Sequence, residues 1–124
     1  MLVRYLVQDD PEQARKASSV ITRDCTRESP GFINRIVLCE LVWVLEDAYG
    51  YSKEAIAAVL QKVLQTSQFR IEEIPVAWTA LRQYQKGKAD FADCLLEAVN
   101  RQAGCDRTVT FDRQAGKLEG FELL

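Results

Sequence analysis

Helical stripes of apolar residues alternate with short apolar runs along this chain, and this alternation limits the folds that it can adopt. Spacings of three and four residues predict helices over residues 11–22, 35–49, 53–65, 75–85 and 91–103. Short apolar runs predict strands at residues 32–33, 69–74, 108–111 and 121–124, whereas the segment 2–7 fits either element. Alternating helices and strands predict an α/β sandwich around a mostly parallel sheet.

The length of the chain indicates one domain. No repeat, low-complexity tract or linker divides residues 1–124. Hydrophobic residues make up 48% and charged residues 27% of the chain, which is typical of a folded soluble protein. No apolar run approaches the ~20 residues that span a bilayer, and the N-terminus lacks the features of a signal peptide. We therefore expect a cytoplasmic protein with no contact with a membrane.

The absence of histidine restricts the chemistry available to the chain. Nucleophiles that depend on an imidazole base are excluded. The four cysteines (Cys25, Cys39, Cys94 and Cys105) form no Cys-x-x-Cys pair, so we interpret them as free, mostly buried thiols and not as zinc ligands. The net charge of −2 argues against broad nucleic-acid binding but allows local contact with a few nucleotides.

Three carboxylates stand out because the residues around them are apolar. Glu40 lies inside the run 36–43, Asp93 lies near the start of the predicted helix 91–103, and Asp112 directly follows the predicted buried strand 108–111. A charged side chain rarely lies unpaired in a core, since removing an ion from water costs several kcal/mol. Each of these acids therefore needs a partner or a function.

Taken singly, each acid has a structural explanation. Glu40 could pair with Arg35, Asp93 could add to the helix cap, and Asp112 could cap the next turn. Taken together, acids at the ends of elements in an open α/β sheet indicate one site, because ligands bind beyond the carboxyl ends of strands. Clustered carboxylates without histidine or paired thiolates favour Mg²⁺ or Mn²⁺. Such a site binds phosphate oxygens, which points to phosphodiester chemistry.

Four stretches of the sequence resemble VapC-type PIN domains, in the order in which that family has them. They are Leu2–Gln13, Ile36–Trp43 with the following Leu45 and Ala48-Tyr49-Gly50, Ala89–Leu96, and Thr110–Arg113. The resemblance implies a three-layer PIN-like α/β fold with a mostly parallel central sheet flanked by helices. It also implies Mg²⁺- or Mn²⁺-dependent cleavage of RNA, usually by the toxin of a toxin–antitoxin pair.

The resemblance also assigns roles to individual residues. The metal-binding and catalytic acids of the family match Glu40, Asp93 and Asp112. Asp90 is expected to be a supporting metal ligand or a helix cap, while Thr110 and Arg113 are expected to support the site and its substrate. The expected partners are an RNA substrate, a protein antitoxin and a second copy of the chain in a homodimer.

One departure from the family pattern concerns the start of the chain. PIN domains usually begin with a strand ending in Asp-Thr-Asn, and that Asp is a principal metal ligand. Met1 stands directly after the place of this triplet, so we expect the first strand to be truncated. Either the chain starts at an internal methionine or it is a degenerate member; we favour the first account because three acids persist.

The alternative to a ribonuclease is a non-catalytic PIN-like module that binds a protein partner, with Trp43, Tyr49 and the stripe on helix 53–65 as candidate contacts.

Overall fold

Six α-helices and four short strands make up the chain, and the computed structural model describes residues 1–124. They form two units, Met1–Glu72 and Glu73–Leu124. The first unit contains α1 (Leu2–Val7), α2 (Pro11–Asp24), β1 (Gly31–Ile33), α3 (Arg35–Asp47), α4 (Lys53–Gln65) and β2 (Phe69–Ile71). The second contains α5 (Ile74–Lys86), α6 (Phe91–Gln102), β3 (Thr108–Thr110), a 3₁₀ turn (Ala115–Lys117) and β4 (Phe121–Leu123).

Capping side chains mark where the helices of the first unit begin. The side chains of Asp10, Asn34 and Ser52 each accept a hydrogen bond from the backbone amide three residues further on. These bonds satisfy amides that have no partner inside the helix. Pro11 occupies the first turn of α2, where its missing N–H costs nothing. The predicted starts of α2, α3 and α4 are confirmed, and the segment 2–7 is a helix.

The strands of the first unit run parallel. Gly31 pairs with Phe69 and Ile33 with Ile71. Both isoleucines are buried. The core of this unit is apolar and includes Ala14, Ala17, Ile21, Leu38, Leu41, Leu45, Ile56, Leu60, Val63 and Leu64. The stripe on α4 is therefore core and not a contact surface.

The second unit combines a helix pair with a short parallel ribbon. Helices α5 and α6 pack together, and the rings of Tyr84 and Phe91 meet edge to face with centroids 5.9 Å apart. In the ribbon, β3 and β4 pair with Thr108 opposite Phe121. Both strand pairs are parallel, α-helices separate β1, β2 and β3 along the chain, and a 3₁₀ turn separates β3 from β4. The predicted α/β class is confirmed. No helix is both long and apolar enough to cross a membrane.

Some apolar residues predicted to be core are exposed. Ile36 is 70% exposed because it lies on the side of α3 opposite the buried Leu38, and Ala48 is exposed because the helix has ended there. Phe111 is 81% exposed because β3 ends one residue earlier. The predicted buried strand 108–111 is therefore shorter and more exposed than expected.

Two further expectations need correction. Ile74 begins α5 and does not extend β2, since Glu73 adopts a left-handed conformation with a φ of 49° that ends the extended backbone. None of the four cysteines forms a disulfide, but only Cys94 is buried; Cys25 and Cys39 are half-buried and Cys105 is exposed. The expectation of mostly buried thiols was wrong.

Candidate metal site

Asp90 sits at the start of α6, where its carboxylate caps the helix. Its Oδ1 accepts a hydrogen bond from the backbone amide of Asp93 at 2.8 Å. This bond satisfies one of the amides that the first helical turn leaves without a partner. One of the two roles expected for Asp90, the helix cap, is present, and its role as a supporting metal ligand remains a prediction.

Asp93 is half-buried in the first turn of α6, and its pKa is raised to about 6. Burial is the largest cause, because it penalises the charged form of the carboxyl group. The charge of Asp90, a hydrogen bond with the Asp90 carboxyl group, and the charge of Asp112 raise the pKa further. The positive end of the helix favours a negative charge here, but burial and the two neighbouring carboxylates outweigh it.

Asp112 follows β3 and is fixed by its own turn. Its Oδ1 accepts hydrogen bonds from the backbone amides of Gln114 at 2.8 Å and Ala115 at 3.1 Å. The Thr110 hydroxyl oxygen accepts a hydrogen bond from the Asp112 amide at 3.0 Å. Asp112 therefore does cap the following turn, yet its second carboxylate oxygen, Oδ2, has no hydrogen bond and remains available to a ligand.

The chemistry of this acidic cluster, defined as Asp90, Asp93 and Asp112, fits a hard divalent cation. All of its donors are carboxylate oxygens, which Mg²⁺ and Mn²⁺ prefer. Burial raises the pKa of Asp93 most, and the charges of Asp90 and Asp112 raise it further; a cation would offset these effects on the carboxylate. No three His, Cys, Asp or Glu side chains are close enough to hold a metal ion by themselves. A cation at this cluster would therefore keep several water ligands, as Mg²⁺ commonly does.

Glu40 lies on α3 in the first unit and is exposed, so the expectation that apolar core surrounds it was wrong. Its carboxylate makes no hydrogen bond or ion pair. Arg35 does not neutralise it, since the Arg35 guanidinium lies 3.6 Å from a carboxylate oxygen of Glu72. Glu40 instead lines a shallow cavity of about 170 Å³ together with Met1 and neighbouring residues of α1 and α3. Its carboxylate is free to bind a ligand.

Sequence reasoning missed a polar stripe along α6. Asp93, Glu97 and Asn100 are spaced by four and three residues, which places them on one face of the helix. Glu97 is only 4% exposed and forms an ion pair with Arg101. Asn100 donates a hydrogen bond from Nδ2 to the Thr108 hydroxyl at 3.1 Å. The available signal was an acid among apolar neighbours at Glu97, which is the same signal that drew attention to Asp93.

A second polar cluster, also missed, fixes α1 in the first unit. The Arg4 guanidinium contacts the Asp9 carboxylate at 2.9 Å, and the Tyr49 hydroxyl donates to the same carboxylate at 2.7 Å. The hydrogen bond from Tyr49, followed by that from Arg4, outweighs desolvation and lowers the pKa of Asp9. The same bond to Asp9 is the main cause of the raised pKa of Tyr49. These residues therefore stabilise the fold through their mutual contacts.

Comparison with known proteins identifies the family to which the chain belongs. The model of the PIN domain family matches residues 1–120, and the chain therefore belongs to that family. It is similar to a VapC ribonuclease of Aquifex aeolicus (strain VF5), with 33% identity over 91 residues, which cover 73% of this chain and 67% of the relative. Within the PIN domain family it is thus a VapC-type protein. No solved structure matches the chain.

Proposed function

We propose that this chain is a Mg²⁺- or Mn²⁺-dependent endoribonuclease that hydrolyses RNA phosphodiester bonds and acts as the toxin of a toxin–antitoxin pair. The main support is that Asp93 of a PIN-domain chain lies half-buried near two further carboxylates, Asp90 and Asp112, whose charges add to the effect of burial on its pKa. The similarity to a VapC ribonuclease supports both the nuclease class and RNA as the substrate.

The catalytic residues in this proposal are Glu40, Asp93 and Asp112. Asp112 offers its free Oδ2 to the cation, while its Oδ1 stays bonded to the turn. A bound cation would lower the pKa of Asp93 and so favour its carboxylate form, because a nearby positive charge opposes the burial and the neighbouring charges that raise this pKa. Glu40 enters the proposal through the family resemblance and its free carboxylate. When bound, Mg²⁺ or Mn²⁺ offsets charge on the scissile phosphate and lowers the pKa of a water molecule.

Three neighbouring residues have supporting roles in the proposal. Asp90 holds the first turn of α6 in place through its bond to the Asp93 amide, and its carboxylate is a further candidate ligand. Thr110 fixes the backbone at Asp112 through its hydroxyl. Arg113 is exposed and makes no ion pair, so its guanidinium is free to contact a phosphate of the RNA.

The proposed partners are a protein antitoxin and a second copy of the chain, in the cytoplasm. Trp43 supports such a contact because it is 62% exposed on α3, with Ile36 exposed on the same helix. Large exposed apolar side chains are enriched at protein interfaces. The same observation favours the alternative function, a non-catalytic PIN-like module that only binds a protein partner.

A cleavage assay separates the two functions. The purified chain, freed of any antitoxin, is incubated with a mixed RNA pool and Mn²⁺, with and without excess chelator. Glu40→Gln should abolish cleavage while leaving the melting temperature unchanged, since the side chain is exposed and unbonded. Glu46→Gln is the matched control, because Glu46 is also an exposed acid of α3. Equal cleavage by both variants would exclude Glu40 from the site, and no cleavage by the folded wild-type chain would favour the binding module.

A further inference from the structure

The polar stripe of α6 contacts the β3–β4 ribbon at two points. Near the end of the helix, Asn100 donates to the Thr108 hydroxyl, which belongs to the first residue of β3. One turn earlier, Glu97 packs directly against Gly120, the residue before β4. A side chain at position 120 would overlap with the Glu97 carboxylate, so the backbone of the ribbon approaches the helix closely here.

The two contacts act on the same pair of strands. The Thr108 amide donates to the Gly120 carbonyl at 2.7 Å, and the Leu124 amide donates to the Thr110 carbonyl at 2.8 Å. Fixing Thr108 and Gly120 on α6 therefore fixes where β3 ends. Asp112 lies two residues after the end of β3.

The other end of the stripe is Asp93 itself, seven residues before Asn100 on the same face of the helix. Asp93 and Asp112 belong to different elements, yet they interact electrostatically in the folded chain. Because α6 carries Asp93 and β3 leads to Asp112, the contacts between α6 and β3 join the two segments that carry these carboxylates. A metal site tolerates little error in that separation, because ligands must reach one ion at about 2 Å.

We propose that Asn100 and Thr108 are positioning residues for the metal site: their hydrogen bond sets the register of β3 on α6 and thereby the separation of the Asp93 and Asp112 carboxylates. This inference rests on the proposed function, since it assigns a purpose to the separation of two proposed ligands. In this proposal neither residue is a ligand of the cation or a contact of the RNA. Asn100 lies at the far end of α6, and Thr108 lies four residues before Asp112.

Calorimetric titration of the metal-free chain with Mn²⁺ tests the proposal without measuring activity. Thr108→Val keeps the β-branched shape that suits a strand and removes the hydroxyl. We expect it to weaken Mn²⁺ binding about tenfold, as loss of a group that orients a ligand does elsewhere. Thr108→Ser keeps the hydroxyl and should bind Mn²⁺ like the wild type.

A matched pair of variants on the helix completes the test. Asn100→Ala should weaken Mn²⁺ binding by a similar factor. Gln102→Ala should not, because Gln102 lies on the same helix but bonds to Glu73 of the loop before α5. The double variant of Asn100 and Thr108 should bind Mn²⁺ no more weakly than either single variant, since each change removes the same hydrogen bond.

The outcomes distinguish this proposal from the function on which it rests. If the wild type binds Mn²⁺ and the Thr108→Val and Asn100→Ala variants bind equally well, the positioning role is wrong while the metal site stands. Additive losses in the double variant would likewise overturn the shared role of the two residues. A wild-type chain that does not bind Mn²⁺ would overturn the proposed metal site and the positioning role together.

Discussion

The Asp90 carboxylate accepts a hydrogen bond from the backbone amide of Asp93, so the cap of α6 lies beside the carboxyl group with the raised pKa. Asp90 therefore stabilises the start of α6 through its hydrogen bond, while its negative charge disfavours a charge on Asp93. Substitutions that remove one effect and keep the other measure the two separately.

Two substitutions of Asp90 distinguish its role as a helix cap from the effect of its charge. Asn is as good a cap as Asp, so Asp90→Asn should leave α6 intact. Asp90→Ala should lower the free energy of unfolding by about 1 kcal/mol, because the Asp93 amide loses its partner. Urea denaturation of both variants measures the difference. Equal stability of the two variants would show that the cap contributes nothing.

Removal of the charge at Asp93 should stabilise the metal-free chain. At neutral pH the folded state carries a half-buried carboxylate beside two others, and Asp93→Asn removes that unfavourable charge. We expect a gain of roughly 1 kcal/mol after allowing for solvent screening. Thermal unfolding in chelator measures this gain, with the exposed loop residue Asp106 changed to Asn as the control. A melting temperature that falls in Asp93→Asn would contradict the interpretation of charge crowding.

The stability of the metal-free chain should depend on pH through Asp93. Its pKa rises from 3.8 in the unfolded chain to about 6 in the folded one, so the folded state binds the proton more tightly. The resulting stabilisation is fully present below about pH 4 and is lost as the pH rises through about 6. The unfolding free energy of the wild type, measured relative to that of Asp93→Asn, should therefore decrease as the pH rises from about 4 to about 6. A constant difference between the two proteins across this range would exclude the shift.

Gly120 and Gly104 form a matched pair for testing the close approach of α6 and the ribbon. Both have a φ of 94°, but a side chain at Gly104 meets nothing within 4 Å, whereas one at Gly120 meets Glu97. Gly104→Ala should therefore cost only the backbone strain of about 1 kcal/mol. Gly120→Ala should cost a further 1–3 kcal/mol, roughly, because the buried Glu97 must move. Chemical denaturation measures the unfolding free energy of both variants. Equal losses of stability would mean that Glu97 makes room for the added methyl group without cost.

The sequence predicted local structure better than exposure. The helices followed from apolar spacings of three and four residues, and capping side chains such as Asp10, Ser52 and Asp90 fix where they start, because a cap acts within three residues of itself. Exposure depends on partners far away in sequence. Ile36 and Phe111 were assigned to the core from their neighbours, yet neither finds a partner in the fold.

The candidate site residues remain a prediction. Asp93 and Asp112 were selected for their apolar sequence neighbours and grouped because both lie near element ends of an α/β fold, and in the folded chain the charge of Asp112 influences Asp93. The contact between Asn100 and Thr108 was not predictable, because nothing in the sequence indicates that these two side chains form a hydrogen bond between α6 and β3. The buried Glu97 was overlooked because its close neighbour, Gly120, is distant in sequence.

Asp93 is proposed to belong to a cation site at which RNA is cleaved. The most direct test is Mn²⁺-dependent cleavage of a mixed RNA pool by the wild type, Asp93→Asn and the control Asp106→Asn, with folding of each checked beforehand. We predict that the wild type and Asp106→Asn cleave only when Mn²⁺ is present, and that Asp93→Asn loses at least ~100-fold in rate, about 3 kcal/mol of barrier. Cleavage by Asp93→Asn at the wild-type rate would contradict a role for Asp93 in cleavage.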